Sequence, residues 1–389
     1  MAVYYVDKGV GAGGAGTEGD PFDSILDAFD ACFPLEGDPA TRQSLAEDTT
    51  IYLKSTSGTP DLVASTPTME YTGGSTLTLI QTDRTSPVWD DTKYRLVRED
   101  GGCLASNGSG GHDVSQTHRL TARNVQFEQS SVSSNNQVML PVHTRRGRRG
   151  VWSFDSCLFK GSGDDIYSKR VFRLDADNRF NALTIMRNCV VFNMGDAGGT
   201  IFYGDIGNDG LNALMCVNNT FDCPSLVMLS NTSPYSARLF LIKMFNNILD
   251  VSGYGAERYR NSHGIDADYN TCFFEDDDVI DSVDGETVLW THGANDIVNV
   301  ASLPFTNAAA GDYRLSTSDG NVVDAGTSMS EEYTMPTSSD GTPPPAPGFT
   351  HDHLETSTRP QGAAWDIGAY EFIAPEVFNY PRFLMGPKA

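Results

Sequence analysis

The sequence lacks any long apolar run. Across its 389 residues, no stretch approaches the roughly 20 apolar residues that a membrane-spanning helix needs, and the longest, Leu239–Phe245, contains Lys243. Met1 is followed by a glycine-rich stretch and not by a basic region with an apolar block, so the secretory signal pattern is missing. We therefore expect no membrane partner, and Met1 favours a protein that is not secreted or is exported by another route.

Basic residues are also scarce. Lysine and arginine number 27 against 51 aspartates and glutamates, which gives a formal net charge of −24 at pH 7. A chain of that charge repels nucleic acid as a whole. Hydrophobic residues still make up 39% of the sequence, which is enough for a large core and excludes wholesale disorder. We expect a folded protein with no nucleic-acid partner.

Cysteine occurs in no metal-binding or redox pattern. The sequence has no CxxC pair and no Cys/His spacing typical of zinc sites. No cofactor is predicted, apart from the calcium alternative given below. Most of the seven cysteines lie in apolar, strand-like stretches, so we interpret them as buried thiols: Cys32, Cys103, Cys157, Cys189, Cys216, Cys223 and Cys272.

A degenerate repeat fills the middle of the chain. Each copy is a short β-rich run, an Asn or Ser, and a second short run that closes on a large apolar residue. The closing residues lie 24 to 33 positions apart. Repeats of this length require stacking, because a single unit has no surface of its own that covers its apolar face. The copies are LTARNVQF ending at Phe127, WSFDSCLF at Phe159, TIMRNCVVF at Phe192, LMCVNNTF at Phe221, IKMFNNIL at Leu249 and DADYNTCF at Phe273.

The repeat unit is built from strands. Alternation such as Leu183 and Ile185 has period two, and clusters of Gly with Asp or Asn separate the runs. Leucine-rich repeats would show regular Leu-x-Leu with a helix, and propeller blades would need about 40 residues with four strands. Neither pattern is present, so the sequence predicts an all-β solenoid, a coil of short parallel strands.

Asparagine marks the position where one strand turns sharply into the next. Asparagine tolerates the left-handed backbone conformation better than most residues, and stacked copies can form a hydrogen-bonded ladder. We expect these roles at Asn124, Asn188, Asn218, Asn246 and Asn270. The aromatic ends are expected to stack inside the coil: Phe127, Phe159, Phe192, Phe221 and Phe273.

Both ends of the chain carry further motifs. The opening YYVDKGVGAGGAGTEGDPFDSILDAFDAC is followed much later by DYRLSTSDGNVVDAGT (312–327) and WDIGAYEF (365–372). With the repeat, these motifs resemble the right-handed parallel β-helix proteins of the pectate-lyase-like superfamily, which include bacteriophage tail spikes and polysaccharide lyases. The resemblance implies a single-stranded right-handed parallel β-helix with an N-terminal capping helix. We expect Asp20 as the N-cap of that helix and Pro21 in its first turn.

These features divide the chain into five parts. Residues 1–35 are expected to form the N-terminal strand and capping helix, and residues 36–327 the rungs of the coil. Residues 328–361 are rich in Ser, Thr and Pro, which predicts a loop excursion. Residues 362–373 are expected to form a closing strand and residues 374–389 a C-terminal tail or arm.

One loop brings carboxylates and bases together. The resemblance implies enzymes that cleave acidic polysaccharides with a basic residue or with paired aspartates. The stretch KGSGDDIYSKR (160–170) supplies Asp164, Asp165, Lys169 and Arg170 as candidates. The GHG and Arg-Ile-Lys motifs of the pectinolytic hydrolases are absent from the sequence. We therefore interpret the stretch as a solvated loop and leave catalysis open.

A calcium site is the alternative reading of one acidic cluster. Asp266 and Asp268 are two positions apart, so on a strand they share a face. Together with Asp276 they offer the oxygen ligands that calcium prefers, although no 12-residue loop pattern fixes them. A plain acidic surface explains the same residues.

Two elements have the character of docking contacts. Four arginines lie within five positions of an otherwise acidic chain and can pair with carboxylates of an anionic glycan or of another protein copy. The tail places aromatic and aliphatic residues between prolines, where they can pack on the coil or on a partner. The candidates are Arg145, Arg146, Arg148 and Arg149, and Phe378, Tyr380, Phe383, Leu384 and Met385.

Two functions of different classes fit these observations. The first is a bacteriophage virion structural protein, either a tail spike or fibre or a capsid-decorating protein. It would assemble in the host cytoplasm and contact other virion proteins, copies of itself and host surface polysaccharide. The second is a polysaccharide lyase or glycoside hydrolase that acts outside the cell on acidic polysaccharide. We favour the first, because the sequence lacks an assembled catalytic motif and an export signal.

Overall fold

The structure is a computed structural model of the chain. It describes residues 1–36, 38–42, 45–62, 68–69, 75–98, 105–106, 117–129, 138–144, 149–161, 170–176, 181–194, 200–204, 211–231, 239–253, 264–274, 278–280, 288–290, 292–329 and 358–372. In this part of the chain, no helix combines the length and the hydrophobicity needed to cross a membrane.

Short strands form almost all of the regular structure. One α-helix, α1, spans Ile25–Cys32, and a single 3₁₀ turn spans Ala308–Ala310. In chain order the strands are β1 (Ala2–Asp7), β2 (Leu35–Glu36), β3 (Asp38–Arg42), β4 (Thr49–Lys54), β5 (Asp61–Leu62), β6 (Thr68–Met69), β7 (Leu77–Gln81), β8 (Leu96–Arg98), β9 (Ala105–Ser106), β10 (Thr117–Arg123), β11 (Gln126–Gln129), β12 (Val138–Thr144), β13 (Arg149–Asp155), β14 (Leu158–Lys160), β15 (Arg170–Ala176), β16 (Asn181–Arg187), β17 (Val190–Phe192), β18 (Thr200–Gly204), β19 (Leu211–Val217), β20 (Thr220–Asn231), β21 (Leu239–Phe245), β22 (Ile248–Gly253), β23 (Gly264–Asp268), β24 (Thr271–Cys272), β25 (Asp278–Ile280), β26 (Val288–Trp290), β27 (Phe305–Asn307) and β28 (Asp312–Leu315).

The strands stack into a coil with three sides. The first side is a nine-stranded parallel sheet in the order β1-β4-β7-β10-β13-β16-β19-β21-β23. An eleven-stranded sheet forms the other two sides. The second side is the arm of this sheet that runs from β5 through β8, β11, β14 and β17 to β20. The third side is the arm that runs from β12 through β15 and β18 to the same long strand. Consecutive rungs pair in parallel. The fold is therefore a single-stranded parallel β-helix, which confirms the predicted fold class.

The N-terminal end of the coil is closed by α1. Ile25, Ala28, Phe29 and Cys32 of this helix are buried in the main core. The helix begins after Ser24, whose Oγ accepts from the Asp27 backbone N–H. The predicted N-cap, Asp20, is wrong. Residues 20–22 are still extended, because the Phe22 backbone pairs with the edge of β1, and the Asp20 carboxylate accepts from the Ala15 backbone N–H instead.

At the sharp turns between the first and second sides, one residue adopts the left-handed backbone conformation. Asn124, Asn188, Asn218 and Asn246 have φ between 53° and 65°, as the sequence predicts. Ser156 takes the same role in the rung that lacks the asparagine. In the last rung the left-handed residue is Tyr269, so the prediction for Asn270 is wrong. Asn270 lies one position later and has its side chain inside the coil.

Three of the five predicted phenylalanines point into the coil. Phe127, Phe159 and Phe221 are fully buried in the main core. The strand register aligns six inward residues, Phe127, Phe159, Val191, Phe221, Leu249 and Cys272. The prediction is wrong for Phe192 and Phe273. Each lies one position after the inward residue, and a shift of one residue moves a side chain to the opposite face.

An asparagine ladder runs inside the last rungs. Nδ2 of Asn219 donates to Oδ1 of Asn247, and Nδ2 of Asn247 donates to Oδ1 of Asn270, at 3.0 Å in both cases. Nδ2 of Asn270 then donates to Oδ1 of Asp296 at 3.1 Å. A carboxylate suits this last position, because it accepts hydrogen bonds and has none to donate when ionised.

A closing segment, residues 292–300, covers the C-terminal end of the stack. The Cys272 backbone N–H donates to the Ile297 carbonyl at 2.7 Å, and the Val300 N–H donates to the Cys272 carbonyl at 3.1 Å. The edge of the last rung is thereby paired at β24. The coil is closed at both ends, by α1 at one and by this segment at the other.

A strap, formed by residues 303–329 and 358–372, packs on the outside of the coil. Met329 and Trp365 cover outward residues of the first side, including Met215 and Val217. On the second side, β27 and β28 form an antiparallel hairpin, and Tyr313 packs on Phe192. Residues 303–327 therefore lie outside the stack, although the sequence analysis placed them among the rungs. The predicted closing strand at 362–373 is also wrong, because the described residues 362–372 form only an isolated bridge at Trp365.

Candidate functional site

Two aspartates lie side by side on the second side of the coil. Asp222 of β20 pairs in register with Asp250 of β22, and both side chains point outward. The same outward row contains Lys160 and Phe192 in the preceding rungs. Neighbouring strands lie about 4.8 Å apart, so the stacking alone brings the two carboxylates close together.

The two carboxylates differ in their surroundings. Burial raises the pKa of Asp250 to about 6, and the neighbouring charge of Asp222 adds to the effect. Asp222 instead accepts a hydrogen bond from the hydroxyl of Tyr313 in the strap. Burial and the Asp222 charge raise the pKa of Tyr313, so this phenol keeps its proton as a donor. Asp250 therefore holds a proton up to about pH 6, beside Asp222, which accepts a hydrogen bond from Tyr313.

This arrangement has the chemistry of an acid and base pair. A protonated carboxylic acid can donate a proton to a leaving oxygen, and a second carboxylate about 5–5.5 Å away can act as a nucleophile in retaining glycosidases. An apolar and aromatic cluster of Phe192, Tyr313, Trp89 and Tyr370 lies alongside the pair. The rings of this cluster are themselves buried between the strap and the coil, so the chemistry of the site rests on its two half-buried carboxylates.

The sequence analysis missed this pair, although the repeat contains its signal. Asp222 lies four positions after Asn218, and Asp250 lies four positions after Asn246. Equal offsets from the left-handed residue place both side chains in the same row on adjacent rungs. The contribution of Tyr313 had no such signal, because it comes from a segment 91 residues away from Asp222.

A second cluster lies at the C-terminal end of the coil. One ligand atom from each of Cys272, His292 and Asp296 falls within 4.8 Å of the other two. Among the described residues, this is the group whose donor atoms could hold a metal ion. The sequence offered no zinc pattern here, because the ligands come from a rung and from the closing segment.

The predicted calcium residues are only partly described. The Asp268 carboxylate accepts from the Asn295 backbone N–H at 2.6 Å and from its side-chain Nδ2 at 2.7 Å. It therefore fastens the closing segment to β23. Asp276 and the side chain of Asp266 lie outside the described residues, so the calcium site stays a prediction.

The predicted catalytic loop and docking elements also lie largely outside the described residues. Asp164, Asp165 and Lys169 are not described, and for Arg170 and Arg149 only the backbone is. The other arginines of the 145–148 loop and the tail from Phe378 to Met385 are outside as well. The described strands before and after the arginine loop, β12 and β13, belong to the third and the first side of the coil.

The six described cysteines confirm the expected burial. Cys32, Cys157, Cys189, Cys216, Cys223 and Cys272 are all buried thiols, and Cys103 lies outside the described residues. Comparison of the sequence with protein-family models and with curated proteins finds no match. The function therefore has to be inferred from the fold, from the Asp222–Asp250 pair and from the group of Cys272, His292 and Asp296.

Proposed function

We propose that the protein is a structural component of a bacteriophage particle, a tail spike or fibre or a capsid-decorating protein of the pectate-lyase-like superfamily. The observation that carries the proposal is that the coil is closed at both ends. Helix α1 covers the first rung and residues 292–300 pair with the last one. Such a body does not extend by adding strands at its ends, so its partners bind along its sides.

The sides supply the contacts that this proposal needs. The arginine loop, residues 145–149, concentrates four positive charges in a chain with a net charge of −24. Arginines in such a position can make paired hydrogen bonds to carboxylates of a neighbouring copy or of another particle protein. The tail, residues 374–389, adds three aromatic and two aliphatic side chains, each contributing roughly 1.5–3 kcal/mol if fully covered.

Incorporation into particles tests the proposal. One variant deletes residues 374–389, and a second replaces Arg145, Arg146, Arg148 and Arg149 by glutamine. The measurement is occupancy on assembled particles, together with oligomer mass in solution. We expect both variants to keep the strand signal in circular dichroism and to lose occupancy, and high salt to mimic the arginine variant.

A matched control separates assembly from general charge effects. Arg314 pairs with Asp312 of its own strand at 2.7 Å, so Arg314→Gln changes the net charge without changing the proposed contacts. Its occupancy should equal that of the parent. If the chain is absent from particles, or if both docking variants assemble like the parent, the proposal fails.

Glycoside hydrolysis is the second candidate, and the Asp222–Asp250 pair favours it. In this mechanism Asp250, with its raised pKa, is the proton donor, and Asp222 is the nucleophile or base. The substrate would be an acidic or neutral surface polysaccharide.

A screen for newly formed reducing ends on host surface and uronate-containing polysaccharides tests this candidate. We expect Asp250→Asn and Asp222→Asn each to lower cleavage at least about 100-fold, in the range typical of a general acid. Asp91→Asn is a control on the exposed surface of the same side. Activity that survives both substitutions would remove the pair as the catalytic site.

A further inference from the structure

We propose that the C-terminal end of the coil contains a binding site for a zinc-class divalent ion, formed by Cys272, His292 and Asp296. The three donor atoms, a thiol sulfur, an imidazole nitrogen and a carboxylate oxygen, lie within 4.8 Å of one another. These are the atoms that zinc takes in proteins. The site is independent of the particle proposal and of the aspartate pair.

The inward row ends on a small residue at this rung. Cys272 occupies the inward row that holds Phe127, Phe159, Phe221 and Leu249 in earlier rungs. A cysteine is much smaller than those side chains. The inner space of the last rung is therefore closed by the segment that follows, and not by a large apolar residue. His292 enters this space from the closing segment.

Asp296 is positioned before any ion binds. Its Oδ1 accepts from the Asn270 backbone N–H at 2.7 Å and from Asn270 Nδ2 at 3.1 Å. Its Oδ2 accepts from the Gly293 N–H at 2.8 Å and lies 3.7 Å from Nδ1 of His292, which is longer than a hydrogen bond. The Asp296 side chain is fully buried. Oδ2 thus faces the imidazole from a carboxylate that is already fixed in place.

His292 is held by its ring and is reachable from solvent. The imidazole packs on Phe274 with ring centroids 5.4 Å apart, and its side chain is 13% exposed. The other two ligands are buried, so the ion would enter past the histidine. The hydrogen bonds that Asp296 accepts from Asn270 and Gly293 hold this ligand in position. Hydrogen bonds to a metal ligand from outside the site raise the affinity for the metal.

The donor set selects the type of ion. A thiolate with an imidazole favours zinc or another borderline-soft ion over calcium and magnesium, which take oxygen ligands. Ligands of tetrahedral zinc lie roughly 3.5 Å apart, and Nδ1 of His292 and Oδ2 of Asp296 are already 3.7 Å apart, so binding needs only small shifts of these atoms. The Cys272 proton leaves on binding, and a water molecule completes the fourth position. The ion would join the last rung to the closing segment.

Metal content and thermal unfolding of the full chain test this site. The protein is prepared with a non-chelating reductant, equilibrated with Zn²⁺ alone, dialysed and measured for bound zinc per chain. We expect one zinc per chain, a higher unfolding temperature with Zn²⁺, and a thiolate charge-transfer band in the near ultraviolet with Co²⁺. Calcium should produce none of these effects.

Three substitutions make the test specific. Cys272→Ala removes the sulfur, and His292→Phe removes the nitrogen while keeping a ring on Phe274. Each should weaken zinc binding at least about 10-fold. Cys216→Ala removes another buried thiol in the same core and should bind like the parent. The proposal is overturned if the parent binds no zinc, if either ligand variant binds as tightly as the parent, or if the control loses binding equally.

Discussion

At the scale of single residues, the left-handed turn residue fixes which side chains enter the coil. The side chain three positions after it points inward, as for Asn124 and Phe127 or Ser156 and Phe159. Phe159 stacks on Phe127 with ring centroids 5.1 Å apart and planes within 6°. Phe273 lies four positions after Tyr269 and is only partly buried in an outer cluster.

We therefore expect Phe159→Ala to lower the free energy of unfolding by about 3–5 kcal/mol, the usual cost of truncating a core phenylalanine. Phe273→Ala is the matched control and should cost clearly less, because part of its ring is already in water. Urea unfolding of both variants measures the difference. Equal losses would contradict the inward register.

The repeat was recognisable from sequence, but its phase was not. Aligning copies on their last phenylalanine shifted two rungs by one residue, because Phe192 and Phe273 follow the inward positions Val191 and Cys272. Aligning on the left-handed residue gives the correct phase. That choice was ambiguous in the last rung, where Tyr269 turns the chain and Asn270 joins the ladder.

At the scale of elements, a buried ion pair fixes the strap. Arg359 donates to Glu371 at 2.8 Å, and both side chains are fully buried. Arg359 also donates to the carbonyls of Asp366 and Gly368. The asparagines of the turns hold the same segment, since Asn218 Nδ2 donates to the Asp366 carbonyl at 3.1 Å.

Breaking this pair from one side should destabilise the protein more than replacing both members. Arg359→Met leaves the Glu371 carboxylate buried without its cation, which typically costs about 3–5 kcal/mol. The double variant Arg359→Met, Glu371→Leu should recover part of that loss. A double-mutant cycle from urea unfolding gives the coupling energy, and strictly additive effects would show that the pair does not fix the strap.

The strap was the part of the fold that sequence reasoning resolved least. Its contacts join residues far apart, such as Tyr370 and the Pro87 carbonyl, and no local period encodes them. The candidate aspartate pair follows from the repeat once the phase is known. Tyr313 and His292 reach their sites from outside the rungs, so neither site was predictable as a whole.

At the scale of the whole molecule, buried carboxylates link stability to pH. Burial raises the pKa of both Asp250 and Asp366 to about 6, against about 3.9 in an unfolded chain. The folded state therefore binds these protons more tightly, and stability falls as the pH rises from about 4 to 6. Lowering the pH from 7 to 5 should raise the unfolding temperature.

Asp250→Asn should reduce this gain, because its amide does not titrate. General loss of negative charge acts in the same direction in so acidic a chain, so the exposed Asp30→Asn serves as the control and should keep the full gain. Thermal unfolding at the two pH values measures both. An unchanged gain in Asp250→Asn would mean that this carboxylate does not carry the effect.

The strap is synthesised after the rungs that it covers. Its residues follow the rungs in the chain, and Trp365 leaves the ribosome about 150 residues after Val217, one of the side chains in the cluster that it completes. At about 5–20 residues per second, the delay is roughly 7–30 s. Throughout that interval Met215 and Val217 of the growing chain lack the cover of Trp365, so this apolar patch is open to chaperones and to other copies of the chain until the strap has been made.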